Sequence, residues 1–219
     1  MRRLLMIAVL AAIVAVAILP DSAAATATVT TTIQPPNGPV GGMSRLTCGW
    51  HGNCLLPVSD GDGLDWGSWG GVYTNVYFRA RITYPGIGKV GTVKLEPVIH
   101  QGCTAVQATI KRNDGAEAAY VYYLHTTRTD TLISNLYGMT SYWPNLAYAG
   151  EMVSSDPGCY MEGQHTHQRA VSRPGASSFN YNVFQIPDWR TLGGPGTPEW
   201  RDYVTWDPYS FPWRIQWPV

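Results

Sequence analysis

The chain has 219 residues, of which 14% are charged, and its formal net charge at pH 7 is zero. No basic stripe is visible, so the sequence lacks the electrostatic footprint of a nucleic-acid-binding protein and no nucleic-acid partner is expected. Gly, Pro, Trp and Tyr are abundant, whereas blocks of helix-favouring residues are missing after residue 25. This balance indicates a mainly β, loop-rich domain.

Residues 1–25 are predicted to be a signal peptide. A basic start is followed by an unbroken apolar run over residues 4–19, and three alanines end at Ala25, where we expect cleavage. An uncleaved anchor is the alternative, although the run is shorter than the roughly 20 residues that span a bilayer. No later stretch is apolar enough to span a membrane. The mature chain of about 190 residues is therefore expected to be a monomer that is secreted or associated with the cell envelope.

The remaining elements follow in chain order. Residues 26–47 are Thr-rich, then rich in Pro and Gly, which predicts a flexible lead or an edge strand. Residues 48–187 are expected to form one antiparallel β-sheet or β-sandwich-like domain with long loops. Alternating or β-branched segments predict strands over residues 72–82, 90–99, 105–111, 118–125, 147–154 and 178–184. Residues 131–145 are ambiguous and could hold a short helical turn.

The C-terminal extension, residues 188–219, is expected to pack its aromatic side chains on the domain rather than to fold separately. It carries five tryptophans: Trp189, Trp200, Trp206, Trp213 and Trp217. Exposed rings stacking on sugars are the alternative interpretation.

Four cysteines behind a signal peptide indicate disulfide bonds. They are Cys48, Cys54, Cys103 and Cys159, and the sequence alone cannot choose among the three possible pairings. One pairing would close a short Cys48–Cys54 loop around His51 and leave Cys103 with Cys159. A zinc site of Cys and His ligands competes with the disulfide interpretation, but no C-x-x-C spacing is present.

Two histidines separated by one residue lie in the segment Gly163-Gln164-His165-Thr166-His167-Gln168. Pro and Gly residues lie upstream without a helix-start signal, so an extended segment is expected. In a strand, His165 and His167 would point to one face, where they could share a metal or divide metal binding from proton transfer. An ordinary surface strand is the alternative interpretation.

Two further positions carry chemistry. His125 ends the predicted strand Tyr120–His125, and Asp65 lies in Gly63-Leu64-Asp65-Trp66 just before another predicted strand. Taken singly, a histidine at a strand end is usually an exposed residue, and an aspartate among glycines is usually a turn former.

Taken in order, G-x-D-W, Y-x-H and G-x-H-x-H resemble the lysostaphin-type zinc metallopeptidase family (M23). The resemblance covers about residues 60–168 and implies a small antiparallel β fold with the site in a groove. It also implies that Asp65 and His167 are zinc ligands and that His125 and His165 are the catalytic pair. In that family, zinc supports hydrolysis of peptide bonds in bacterial cell-wall peptidoglycan, so peptidoglycan or another peptide is the expected substrate.

The chain departs from the family pattern at one ligand. The family's first ligand is a histidine four residues before the aspartate, and Gly61 occupies that position here. His51 is the nearby histidine that could replace it. The leucine that follows the family's histidines is Thr126 in one motif and Thr166 in the other. A catalytically inactive module of the same fold, which binds cell-wall peptide or glycan, is therefore the alternative to an exported metalloendopeptidase.

Overall fold

A computed structural model describes residues 27–34, 36, 43–48, 63–68, 74–138, 145–161, 163–181, 203–205 and 213–219. These residues form fourteen β-strands: β1 (Thr28–Ile33), β2 (Met43–Cys48), β3 (Gly63–Gly67), β4 (Asn75–Thr83), β5 (Gly88–His100), β6 (Cys103–Arg112), β7 (Glu117–Leu124), β8 (Thr126–Thr127), β9 (Leu132–Gly138), β10 (Asn145–Met152), β11 (His165–Ser172), β12 (Ser178–Tyr181), β13 (Tyr203–Thr205) and β14 (Trp213–Pro218). Within these ranges no helix has the length and apolarity needed to cross a bilayer.

The strands form two antiparallel sheets. The six-stranded sheet has the order β12-β14-β1-β4-β10-β8, and the eight-stranded sheet has the order β13-β2-β3-β11-β7-β6-β5-β9. The mainly β, antiparallel architecture expected from the sequence is therefore confirmed, with two sheets where a single sheet or a sandwich had been considered.

The core lies between the two sheets. Val29, Phe78 and Trp213 from the six-stranded sheet join Val106 and Tyr123 from the eight-stranded sheet in one buried cluster. Strand alternation sends every second side chain into this layer, where burial of apolar surface stabilises the fold by about 25 cal/mol per Å².

Two segments differ from the sequence predictions. Residues 28–33, expected to be a flexible lead or an edge strand, form β1 in the interior of the six-stranded sheet, paired with β14 on one side and β4 on the other. Val29, Thr31 and Ile33 are buried there. Threonine is β-branched and favours extended backbone, so the Thr-rich composition suits a strand. Residues 132–138 form strand β9 against β5, not a helical turn, because their pattern alternates with period two.

The C-terminal extension contributes strands to both sheets. β14 pairs with β1 and β12, and β13 pairs with β2. Trp213 and Trp217 are fully buried, as expected for aromatic side chains packed on the domain. The other three tryptophans of the extension lie outside the described residues.

The chain changes sheets at His125. β7 ends at Leu124 in the eight-stranded sheet, and β8 begins at Thr126 in the six-stranded sheet. His125 makes the corner with a positive φ of 56°, a conformation that costs a non-glycine residue free energy and that the surrounding structure must hold in place.

Candidate functional site

The histidine pair lies on a strand, as its sequence context predicted. Thr166 and Gln168 of β11 face the core, where Gln168 accepts a hydrogen bond from Trp66 Nε1 (3.0 Å) and donates one to the Gln34 carbonyl (3.0 Å). The period of two then sends His165 and His167 to the opposite face of the eight-stranded sheet.

Strand pairing brings Asp65 to this face beside both histidines. β3 and β11 are antiparallel with Asp65 opposite His167. Asp65 Oδ1 lies 2.9 Å from His167 Nδ1 and 3.8 Å from His165 Nε2. Residues about 100 positions apart in sequence thus converge because their strands are neighbours.

Gly63 makes room for His167. A Cβ at this position would collide with the imidazole ring of His167, which is itself 2% exposed. The ring is therefore confined between the Gly63 backbone and the Asp65 carboxylate. The absence of a side chain at Gly63 therefore leaves the space that the His167 ring occupies.

His125 completes the cluster from the corner that follows β7, the strand on the other side of β11. Its ring lies edge-on to that of His165, with ring centroids 4.7 Å apart. Burial, and secondly the neighbouring His165, lower the pKa of His125 from 6.5 to about 4. The imidazole is consequently neutral at pH 7 and able to accept a proton.

The hydrogen-bond partners assign the proton on each of these two rings. His125 Nδ1 lies 3.2 Å from Asp156 Oδ2, and His165 Nδ1 lies 3.0 Å from the Gly163 carbonyl oxygen. Both partners accept hydrogen bonds, so each ring carries a proton on Nδ1, and the neutral form of such a ring has its lone pair on Nε2. For His165, that Nε2 is the nitrogen that lies 3.8 Å from Asp65 Oδ1.

Asp156 is the residue of this region that the sequence did not reveal. It lies in Ser155-Asp156-Pro157-Gly158, which reads as a turn, yet it is 6% exposed and contacts His125. Its position three residues before Cys159 is the only sequence signal that could have pointed to it, once the pairing of that cysteine is known.

The Cys103–Cys159 disulfide considered in the sequence forms, with a Cα–Cα distance of 4.8 Å. Such a bond is typical of proteins that fold in oxidising compartments. Potential ligand atoms of Cys103, Asp156 and Cys159 lie within 4.8 Å of one another, but sulfurs joined in a disulfide offer no thiolate to a metal. Cys54 and His51 lie outside the described residues, so the Cys48–Cys54 pairing stays a prediction.

The donor atoms of Asp65 and His167 have a spacing that suits zinc. Ligands of a tetrahedral zinc at about 2.0–2.2 Å stand about 3.3 Å apart, which the 2.9 Å between Asp65 Oδ1 and His167 Nδ1 approaches. These residues supply two of the three protein ligands that a catalytic zinc uses. Gly61 and His51, the positions considered for the third ligand, lie outside the described residues.

Comparisons with models of protein families, with curated proteins and with solved structures found no match. The four clustered side chains themselves therefore carry the functional interpretation.

Proposed function

We propose that this chain is an exported zinc-dependent endopeptidase of the lysostaphin type, with peptide bonds of cell-wall peptidoglycan as its substrate class. The observation that supports it is the convergence of Asp65, His167, His165 and His125 in one cluster. Their roles are those that the resemblance assigns from sequence order alone. Substrate class and export come from that resemblance and from the predicted signal peptide.

In this proposal Asp65 and His167 hold zinc, with His51 as the third protein ligand. β2 pairs with β3 so that Cys48 stands opposite Asp65. His51 follows Cys48 by three residues, and three residues span at most about 11 Å. Chain length therefore allows a ligand from this part of the chain to approach Asp65. Zinc, when bound, acts as a Lewis acid and lowers the pKa of a coordinated water to about 7.

The two remaining imidazoles supply proton transfer. His165 and His125 each present Nε2 as a proton acceptor, because Nδ1 donates to Gly163 and Asp156, respectively. A neutral imidazole can take a proton from the attacking water and, once protonated, donate a hydrogen bond to the oxyanion or a proton to the leaving amine. The low pKa of His125 keeps its ring neutral at neutral pH, so that Nε2 is available as a hydrogen-bond acceptor.

The test is elemental analysis of the purified mature chain together with digestion of peptidoglycan. We expect one zinc per chain and metal-dependent release of peptides, both lost in His167→Ala. His165→Ala is expected to keep zinc and lose hydrolysis. His100→Ala is the histidine control, since His100 stacks on Tyr122 and is not one of the four clustered residues; it should leave both readings unchanged. A wild-type chain that neither binds zinc nor releases peptides would overturn the proposal.

A second candidate, a metal-free module that binds cell-wall peptide or glycan, is favoured by one feature of the sequence. Gly61 has no side chain to offer at the family's first ligand position. His51→Ala separates the candidates: loss of zinc from an otherwise zinc-binding chain supports the enzyme. Co-sedimentation of the wild type with peptidoglycan, without zinc and without hydrolysis, supports the binding module.

A further inference from the structure

The carboxylate of Asp156 is held from three directions. Oδ2 accepts a hydrogen bond from the Thr104 amide (2.9 Å) and lies 3.2 Å from His125 Nδ1. Oδ1 accepts a hydrogen bond from the Thr104 hydroxyl (3.2 Å). A buried carboxylate with fixed donors on both oxygens has a defined orientation, and that orientation points one lone pair at His125.

The backbone of His125 is fixed by the same two neighbouring segments. Its amide donates to the Thr104 carbonyl (2.8 Å), and its carbonyl accepts from the Val153 amide (2.9 Å). Thr104 therefore touches both His125 and Asp156. With the positive φ of His125, these contacts leave the imidazole little freedom other than rotation of its own side chain.

The disulfide fastens the segment that carries Asp156. Cys103 immediately precedes Thr104, and Cys159 follows Asp156 by three residues. The Cys159 amide also donates to the Asp156 carbonyl (2.9 Å), closing a tight turn. Cys159 Sγ lies 4.0 Å from His125 Nε2, and as a disulfide sulfur it has no proton to give to that nitrogen. The covalent bond thus holds the turn of Asp156 against the start of β6.

We propose that Asp156 is a positioning residue for His125, which fixes the ring with its proton on Nδ1, and that the Cys103–Cys159 disulfide holds Asp156 in that place. The catalytic meaning of this arrangement rests on the proposed peptidase function. The arrangement itself can be measured without metal, substrate or activity.

The first measurement is nitrogen-15 NMR of the histidine rings in the oxidised, full mature chain with EDTA at pH 7. We expect His125 in the wild type to be protonated at Nδ1. Asp156→Ala should move the proton towards Nε2. Asp156→Asn should keep it on Nδ1, because the amide oxygen can replace Oδ2 while its NH₂ group donates to the Thr104 hydroxyl. Asp130→Ala, at an exposed aspartate that pairs with Arg128, is the control and should change nothing.

Removal of the disulfide is the second measurement. Cys103→Ala/Cys159→Ala should reproduce the shift of the His125 proton seen in Asp156→Ala while the His165 ring stays protonated on Nδ1. A wild-type His125 protonated on Nε2, or an unchanged tautomer in Asp156→Ala, would overturn the positioning role. An unchanged tautomer in the double cysteine variant would overturn the role of the disulfide.

Kinetics then separate this inference from the proposed function. If the wild type hydrolyses peptidoglycan, Asp156→Ala should lower kcat by about 10- to 100-fold with little change in KM. Asp156→Asn should retain more activity than Asp156→Ala. If the His125 tautomer depends on Asp156 but the chain does not hydrolyse peptidoglycan, the peptidase proposal is wrong and the positioning role stands. If the chain is active but the His125 tautomer does not depend on Asp156, the positioning role is wrong and the peptidase proposal stands.

Discussion

The hydroxyls of Thr126 and Thr166 lie 2.8 Å apart in the buried layer between the sheets. These are the two positions at which the family pattern has leucine, so these two departures from it occur at one contact. Thr166 Oγ1 also donates to the Leu124 carbonyl (2.9 Å), which leaves it able to accept a hydrogen bond from Thr126. Thr126 Oγ1 lies 3.3 Å from the same carbonyl oxygen, so the two hydroxyls share one acceptor and are also hydrogen-bond partners of each other.

A double-mutant cycle at these threonines tests that pairing. Thr126→Val and Thr166→Val should each lower the free energy of unfolding by about 0.5–1.5 kcal/mol, because each removes the hydrogen bond between the two hydroxyls while the remaining hydroxyl keeps the Leu124 carbonyl as its acceptor. The double variant should cost less than the sum of the two, since two apolar side chains of the same shape need no partner. Urea unfolding measures all four corners. Additive losses would show that the hydroxyls do not depend on each other.

The positions of several strands could be predicted from the sequence, but the pairing of strands that are distant in sequence could not. Alternation over residues 90–99 and 105–111 predicted strands that β5 and β6 contain. Nothing local showed that residues 28–33 would pair with the last strand of the chain, because the partners of a strand are set by contacts far away in sequence. For the same reason the Thr-rich segment, which was expected to be a flexible lead or an edge strand, forms an interior strand.

The site shows the same division. His165 and His167 could be assigned to one face because strand periodicity is local. Asp65 was named as their neighbour only through the resemblance, and the β3–β11 register puts it opposite His167. Asp156 was missed because an aspartate before Pro157-Gly158 satisfies every rule for a turn residue. Its contact with His125 depends on the disulfide pairing, which cysteine spacing leaves open.

The buried His125 should make stability depend on pH. Its pKa is lowered from 6.5 to about 4, so between these values the unfolded chain binds a proton that the folded chain does not. The contribution of His125 to the free energy of unfolding is thus fully present above pH 6.5 and is lost as the pH drops towards 4, by up to about 3 kcal/mol. Urea unfolding in EDTA at several pH values measures it. His125→Gln should show a shallower pH dependence over this window, and equal slopes would contradict the assignment.

The Cys103–Cys159 bond should dominate the covalent contribution to stability. It joins residues 56 positions apart, and closing a loop of that length is worth about 4 kcal/mol in the chain-entropy model. Cys103→Ala/Cys159→Ala should lower the unfolding free energy by that order, as measured by urea unfolding. Cys48→Ala/Cys54→Ala should cost only about 2 kcal/mol if that short loop is closed. Equal losses would contradict an origin in loop length.

The contact between Gly63 and His167 gives the sharpest test of the site's geometry. Gly63→Ala puts a methyl group where the His167 ring lies. Either the ring or the β3 backbone must move, which should cost about 1–3 kcal/mol of stability and separate His167 Nδ1 from Asp65.

The same substitution in a His167→Ala background meets no ring, so its cost should disappear there. Thermal unfolding of the four chains gives the coupling, and zinc content of the purified proteins gives its consequence. A Gly63→Ala penalty that is undiminished by removal of the imidazole would mean that the glycine serves the β3 backbone alone. His167 would then not be confined as described, and Asp65 would lose the neighbour with which it is proposed to share a metal.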